Sequence, residues 1–259
     1  MEKKQELAWV TPEANRGYVA PGREKVSRLM DANAIDELRE SSPDLKESME
    51  IGKEPSSDFQ NNWPESDPSF RTVMMDFYDS CHELHLQVMD SIGLGLGLSQ
   101  GFFTKFCDSK EHNLRLLHYP EVEKNVLDRP NQTRAGAHSD YGTITLLFQD
   151  QIGGLQVKNP IGEFVNAPPI ENAIVINAGD LLARWSNDMI ASTEHRVVSP
   201  PYCPKNQKYP ERYSVAYFCN PNFNATIECL DGTWDKDHPK KYPAINSYEY
   251  LVQRLSATY

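Results

Sequence analysis

From about Asn113 to Cys219 the chain is written in short apolar runs, each closed by Gly, Pro, Asn or Asp. The runs are Leu114 to Tyr119, Thr143 to Phe148, Gly154 to Val157, Glu163 to Asn166, Ala173 to Asn177, Thr193 to Val198 and Arg212 to Cys219. They are too short for ordinary helices and rich in β-branched and aromatic residues, so they predict strands. Short strands at this regular spacing close into a sandwich or barrel; a parallel α/β sheet would need helices between them.

Upstream the periodicity is helical. Asp67-Pro68 predicts a helix start, because Asp can cap free amides and proline is tolerated at the first helical position. Phe70, Val73, Met74, Phe77, Tyr78, Cys81, Leu84, Val88 and Ile92 recur at three- and four-residue steps, one packing stripe on a helix running to about Ile92. Further helices are expected from Ser99 to Phe106 and from Tyr248 to Leu255. Residues 1 to about 66 read as an irregular wrap with one short helix near Ala32 to Glu40. The expected fold class is mainly β with flanking α: a jelly-roll core with helices packed on one side. We read a single domain in three parts: an extended and helical segment over 1–112, the β core over 113–222, and a closing segment with its helix over 223–259.

Composition narrows the partners. A formal net charge of −11 over 259 residues disfavours nucleic acid and anionic membrane surfaces, which are held by Lys and Arg. No run approaches 18 apolar residues, and the opening MEKKQELAWV is charged where a signal peptide needs an apolar stretch. A cytoplasmic protein acting on a small molecule is expected, with no reading of its oligomeric state. Five cysteines, an odd number without a CxxC pair, read as reduced thiols. Gly93, Gly95 and Gly97 follow a helix, the wrong context for a dinucleotide loop. His82 and His85 lack the HExxH pattern of a zinc helix and read as surface or boundary residues.

The chemistry is carried by His138-Ser139-Asp140, a lone His195, and Arg212-Tyr213-Ser214. Residues i and i+2 of a strand share a face, so His138 and Asp140 are expected to project into the barrel together, with His195 opposite. Two imidazoles and one carboxylate hold iron(II) on one side and leave three positions open. Zinc with a bound water is the alternative metal chemistry. Arg212 and Ser214 also share a face and can meet one carboxylate. A zinc hydrolase has no need of that clamp, so the ordered set favours iron and an acidic co-substrate.

These motifs resemble the iron(II)- and 2-oxoglutarate-dependent dioxygenases with a double-stranded β-helix core. The resemblance implies that His138, Asp140 and His195 are iron ligands and that Arg212 and Ser214 bind the distal carboxylate of 2-oxoglutarate. Leu114 to Pro120 matches the strand whose Tyr, here Tyr119, touches the co-substrate; the common plant version carries Asn where this chain has Leu117. Molecular oxygen would be consumed, with ascorbate an auxiliary reductant.

Longer strings, Thr11-Pro12-Glu13-Ala14-Asn15-Arg16-Gly17-Tyr18, Ala20 to Lys25, Asn177 to Asp188 and Leu251 to Tyr259, resemble the narrower group of fungal thymine dioxygenases. That likeness implies pyrimidine salvage: oxidation of the thymine methyl group to 5-hydroxymethyluracil and onward to the formyl and carboxy products, with succinate formed from 2-oxoglutarate. Tyr141 and Phe218 would stack on the ring, Arg115 would hydrogen-bond a ring carbonyl, and Asn113 is a second candidate for that edge. The plainer reading of both aromatics is core filling. Members of the group begin with a further strand and helices ahead of Glu2. Their absence here predicts an exposed apolar patch and leaves two alternatives to a thymine oxidase: an oxygenase or oxidase of the same fold acting on another small molecule, or an inactive form that only binds iron.

Overall fold

The structure is a computed structural model that describes residues 2–26, 32–56, 58–202, 204 and 207–258. The chain opens with a short helix α1 (Glu2–Gln5), strand β1 (Gly17–Val19), helix α2 (Ala32–Ser41) and strand β2 (Glu47–Gly52). The long helix α3 (Pro68–Gly95) and the one-turn α4 (Thr104–Cys107) come next. Then follow β3 (Asn113–Tyr119), β4 (Val122–Glu123), α5 (Lys124–Leu127), β5 (Ala135–His138), β6 (Ile144–Gln149), β7 (Leu155–Lys158), β8 (Phe164–Asn166) and β9 (Val175–Ala178). The chain continues through α6 (Asp180–Trp185), β10 (His195–Val197), β11 (Lys208–Tyr209), β12 (Arg212–Cys219), β13 (Thr226–Ile227), β14 (Ile245–Asn246) and α7 (Ser247–Thr258).

Two sheets form the core. The larger has the order β1-β2-β3-β12-β6-β9 and the smaller β5-β10-β7-β8; all pairings within them are antiparallel. Two antiparallel sheets facing each other across one interior make this a jelly-roll core. All seven runs read from the sequence appear as strands, within a few residues of the expected ends. Between the sheets lie Leu117, Tyr119, Ala135, Leu155, Val197 and Ala216. Behind the large sheet α3 lays its stripe on Ile51, Leu114, Ile144, Leu146 and Tyr217, with Phe77 edge-on to Phe148 at 5.1 Å. Asp67 caps α3 by accepting from the Ser69 amide at 3.1 Å.

Several expectations need correction. The segment before 66 supplies β1 and β2 to the large sheet, so it is part of the sheet as well as a wrap. The sequence hides β2 because Glu47, Ser48 and Glu50 give it a polar look; Glu50 is buried because Arg115 pairs with it, while Glu47 stays partly exposed. The helix expected over Ser99 to Phe106 is turns followed by α4 alone, since the Gly101 amide is taken by Asp90. His82 and His85 are buried, not at the surface. Cys81, Cys107, Cys219 and Cys229 are free and buried; Cys203 lies outside the described residues. Ile170, Ile174, Ile176 and Val165 are exposed along the stretch carrying β8 and β9. Among the described residues no helix is long and apolar enough to cross a membrane.

Register explains how the large sheet builds a site. Across its inner face Gly52, Asn113, Phe218, Thr145 and Asn177 form one row; Glu50, Arg115, Ala216, Leu147 and Val175 form the next. Ser48, Leu117, Ser214 and Gln149 form a third, and Tyr119 faces Arg212 in the fourth. Polar residues on five strands therefore converge on one interior, because alternation sends them all to the same face.

Candidate metal and co-substrate centre

His138 ends β5 and His195 begins β10, and the two are cross-strand partners. Their rings lie 4.3 Å apart between centroids. Asp140 Oδ1 sits 3.8 Å from His138 Nε2 and 3.6 Å from His195 Nε2. Asp140 is not on the strand, as i, i+2 alternation had suggested; β5 stops at His138 and Asp140 lies in the following loop. That loop is held by the start of α6: the Asp180 amide donates to Asp140 O at 2.8 Å and the Leu181 amide to Tyr141 O at 3.1 Å. Glycine is required where the loop meets its neighbours. A Cβ on Gly142 would fall 2.2 Å from Cys219 O, and one on Gly179 would fall 2.5 Å from Gly142 O.

The hydrogen bonds leave the right atoms bare. His138 Nδ1 donates to Gly136 O at 2.7 Å and His195 Nδ1 to Thr193 O at 3.0 Å, so both Nε2 atoms keep their lone pairs. Asp140 Oδ2 accepts from Thr145 Oγ1 at 2.6 Å and Asn177 Nδ2 at 2.8 Å, which turns Oδ1 toward the imidazoles. Burial and then the neighbouring His195 push the His138 imidazole down to about 3, keeping it neutral and able to ligate. Burial alone would raise the Asp140 carboxyl, but His195, His138, Thr145 and Asn177 together lower it, so it stays ionised. Two imidazole nitrogens and one carboxylate oxygen within 4.8 Å of one another fit iron(II) bound on one face.

Two cavities meet at these ligands. One is lined by Tyr119, Arg212, Ser214, Leu117 and Lys46 together with His138, Asp140 and His195. The other is lined by Asn113, Arg115, Tyr141 and Phe218 together with His138 and Asp140. Every residue picked out from the sequence thus lines one or both of two compartments sharing a wall, Arg115 and Phe218 reaching both. At the closed end Arg212 donates to Ser214 Oγ and Gln149 Oε1, both at 3.1 Å, over the Tyr119 ring at 4.9 Å; its Nε is buried without a partner. Leu117 is inward and apolar across from Ser214, so this end of the cavity offers one hydrogen-bonding group fewer than an Asn would give.

In the second cavity Asn113 spends Nδ2 on Asn15 O at 3.2 Å and leaves Oδ1 buried without a partner. Tyr141 donates to or accepts from Thr258 Oγ1 at 2.7 Å and lies under Arg254. Arg115 stands over the Phe218 ring at 5.2 Å and is gripped by Glu24 and Glu50. Sequence reasoning did not find Thr145, Asn177, Gln149, Glu24 or Lys46. Thr145 and Gln149 have the inward parity of β6, a signal that becomes readable only once the register is known.

A second group of imidazoles, His82, His85 and His112, lies outside both compartments except where His112 touches the second. The Asn220 amide donates to His112 Nδ1 at 3.0 Å, which places the proton on Nε2. Nε2 then donates to His82 Nδ1 at 3.0 Å. His85 Nε2 donates to Thr143 Oγ1, whose own proton goes to Cys219 O. Metal ligation through His112 Nε2 would break the Asn220 bond, so the trio is a neutral hydrogen-bonded cluster.

The family model for the 2OG-Fe(II) oxygenase superfamily matches residues 110–221, the span holding both histidines, Asp140 and the Arg212-x-Ser214 pair. A 2-oxoglutarate-Fe(II) type oxidoreductase of Metarhizium rileyi is 38% identical, over 96% of this chain and 71% of its own length. This chain belongs to the 2-oxoglutarate- and iron(II)-dependent oxygenases. It is an oxidoreductase using iron and 2-oxoglutarate. The full-length thymine 7-hydroxylase of Neurospora crassa, crystallised with 2-oxoglutarate and thymine, is similar at TM-score 0.89 and 54% identity, covering 100% of this chain and 78% of that one. A proline hydroxylase of Petromyces alliaceus is 34% identical over 96% of this chain and 77% of its own length.

Proposed function

We propose that this chain oxidises the methyl group of thymine, coupled to conversion of 2-oxoglutarate and oxygen into succinate and carbon dioxide. The first turn hydroxylates the methyl carbon to give 5-hydroxymethyluracil, the second hydroxylates it again to a gem-diol that loses water to leave the formyl compound, and the third hydroxylates the formyl C–H to give the carboxy compound. The observation that carries this reading is Asn113 Oδ1, a buried acceptor without a partner, in a cavity that also holds two aromatic faces and abuts the metal ligands. A pyrimidine presents ring N–H donors at its edge and two flat faces, which that lining complements. Likeness to the Neurospora protein, crystallised with thymine and with 5-formyluracil, supports the same substrate class.

In this reading His138, Asp140 and His195 hold iron(II), which when bound supplies the activation of oxygen. Arg212 and Ser214 take the far carboxylate of 2-oxoglutarate, with the Tyr119 ring as the floor. Asn113 accepts a ring N–H, Arg115 faces a ring carbonyl, and Tyr141 and Phe218 fix the plane. The residues of α7 that line the cavity, Leu251, Val252 and Leu255, exclude water from the reacting methyl group.

Turnover is tested by succinate release with a panel of thymine, uracil, free proline and other small substrates. Thymine-dependent release supports the proposal; release that responds to another compound and not to thymine replaces it. Stacking on a base contributes about 1–3 kcal/mol. Phe218→Ala is therefore expected to raise the KM for thymine by roughly 10-fold or more, with 2-oxoglutarate affinity nearly unchanged. Equal losses for both ligands would remove Phe218 from the substrate face.

A further inference from the structure

The cavity that carries Arg212 and Ser214 at one end has a second cation on its wall. Lys46 immediately precedes β2 on the side nearest Tyr119, since Glu47 faces His118 in the sheet. Its side chain is almost completely buried, at 4% exposure, and it lines the same cavity as His138, Asp140 and His195. The ammonium meets Glu24 Oε2 at 2.9 Å and Asp44 Oδ2 at 3.4 Å. An ammonium has three donors; the two carboxylates hold it as ion pairs, Glu24 Oε2 itself staying without a hydrogen-bond partner, and no further protein acceptor faces it among the described residues.

The anchor of Lys46 explains where that donor sits. Asp44 Oδ1 accepts from the Gly136 amide at 3.0 Å, and Gly136 O in turn holds His138 Nδ1 at 2.7 Å. Asp44 therefore ties Lys46 to the strand that presents the first metal ligand. Glu24 on the other side belongs to the second cavity, so the Lys46–Glu24 pair is part of the partition between the two compartments, beside Arg115 and Phe218. Burial alone would lower the lysine, but Glu24 and Asp44 together raise it, and it stays charged. A charged donor with no third acceptor, on the wall beside the iron ligands, is what an anionic group bound at the metal would meet.

We propose that Lys46 is a co-substrate-binding residue, donating its third N–H to the carboxylate of 2-oxoglutarate that lies on the metal side, opposite the end held by Arg212. The two carboxylates are then recognised by two cations at the two ends of one cavity, and a dianion is favoured over a 2-oxo acid with one carboxylate. This rests on the assignment of Arg212 to the far carboxylate but not on thymine as substrate.

The test is an anaerobic titration of the iron(II)-loaded full chain with 2-oxoglutarate and, separately, with 2-oxovalerate, which lacks the far carboxylate, following the visible absorption of the metal complex. Lys46→Met is combined with Glu24→Gln so that no unpaired charge is left buried; Lys46→Gln with Glu24→Gln replaces it if the first pair does not fold. Loss of a charge-assisted bond is expected to weaken 2-oxoglutarate and 2-oxovalerate by the same factor, roughly 10-fold or more. Glu24→Gln alone is expected to stay within about 3-fold of the parent. Arg212→Met is expected to weaken 2-oxoglutarate while leaving 2-oxovalerate unchanged. Parent-like affinity of the double variant for both acids overturns the Lys46 proposal, as does a loss confined to 2-oxoglutarate. Parent-like 2-oxoglutarate affinity in Arg212→Met overturns instead the placement of the far carboxylate.

Discussion

Asp140 shows how much of the metal site lies outside its ligands. Its Oδ1 is aimed by what holds Oδ2, namely the Thr145 hydroxyl and the Asn177 amide. Outer contacts of this kind contribute about 10–100-fold in metal affinity. Asn177→Ala is expected to weaken iron(II) binding by roughly 10-fold without removing any ligand, measured by competition with a calibrated chelator; unchanged affinity would show that Thr145 alone orients the carboxylate. The buried imidazoles predict the acid side of the stability profile. Burial and then His82 push His85 down to about 3, and burial first also lowers His82 and His112. Each is neutral when folded but binds a proton near its ordinary 6.5 when unfolded, so stability is full above about pH 7 and falls as pH drops from 6.5 toward 3. Urea midpoints measured across that window should fall steadily, and His85→Leu should flatten the slope. His82 and His85 could not be read as buried from sequence, because their partner His112 is some 30 positions away and only packing brings it near.

At the scale of elements, strands were legible and the loop between them was not. The runs from Leu114 to Cys219 announced β3, β6, β9 and β12 because alternation and punctuation are local properties. The position of Asp140 was reached for an incomplete reason: it shares a side with His138 through bonds from the start of α6, which no local pattern records. Gly142 and Gly179 are the elements' points of closest approach. Gly142→Ala would drive its methyl group into backbone at Cys219, and the cheapest relief is to move the loop carrying Asp140. We expect this variant to lose iron affinity by at least about 10-fold while its far-ultraviolet circular dichroism stays native. Native iron binding would mean that β12 yields and the loop does not. Helix α7 was expected, but not its place across the second cavity, where Thr258 meets Tyr141 and the Tyr250 hydroxyl donates to Asp180 at 2.8 Å.

Across the whole molecule one buried network joins the segment before residue 66 to both sheets. Lys25 pairs with Asp44, Lys46 with Asp44 and Glu24, and Arg115 with Glu24 and Glu50. Burial raises the Glu24 carboxyl, but Arg115 and Lys46 outweigh it and bring it down to about 2. Arg115→Met leaves two buried carboxylates short of their counter-charge, a change expected to cost about 3–5 kcal/mol. A melting temperature lower by roughly 6–20 °C should follow; a drop under about 2 °C would show that water or rearranged lysines replace the guanidinium. Loss of turnover in this variant must therefore be judged beside its folding. The network was invisible in the sequence because its six members lie between positions 24 and 115, on a strap and two strands, with no common period. The sequence by itself determined the strand-rich class, the α3 stripe and the types of donor at 138, 140, 195, 212 and 214, since periodicity and side-chain chemistry are local. Only the tertiary structure decided which atoms of those donors are bare, which compartment each enters, and that Lys46 joins them, because these depend on register and on hydrogen bonds between residues far apart in the chain.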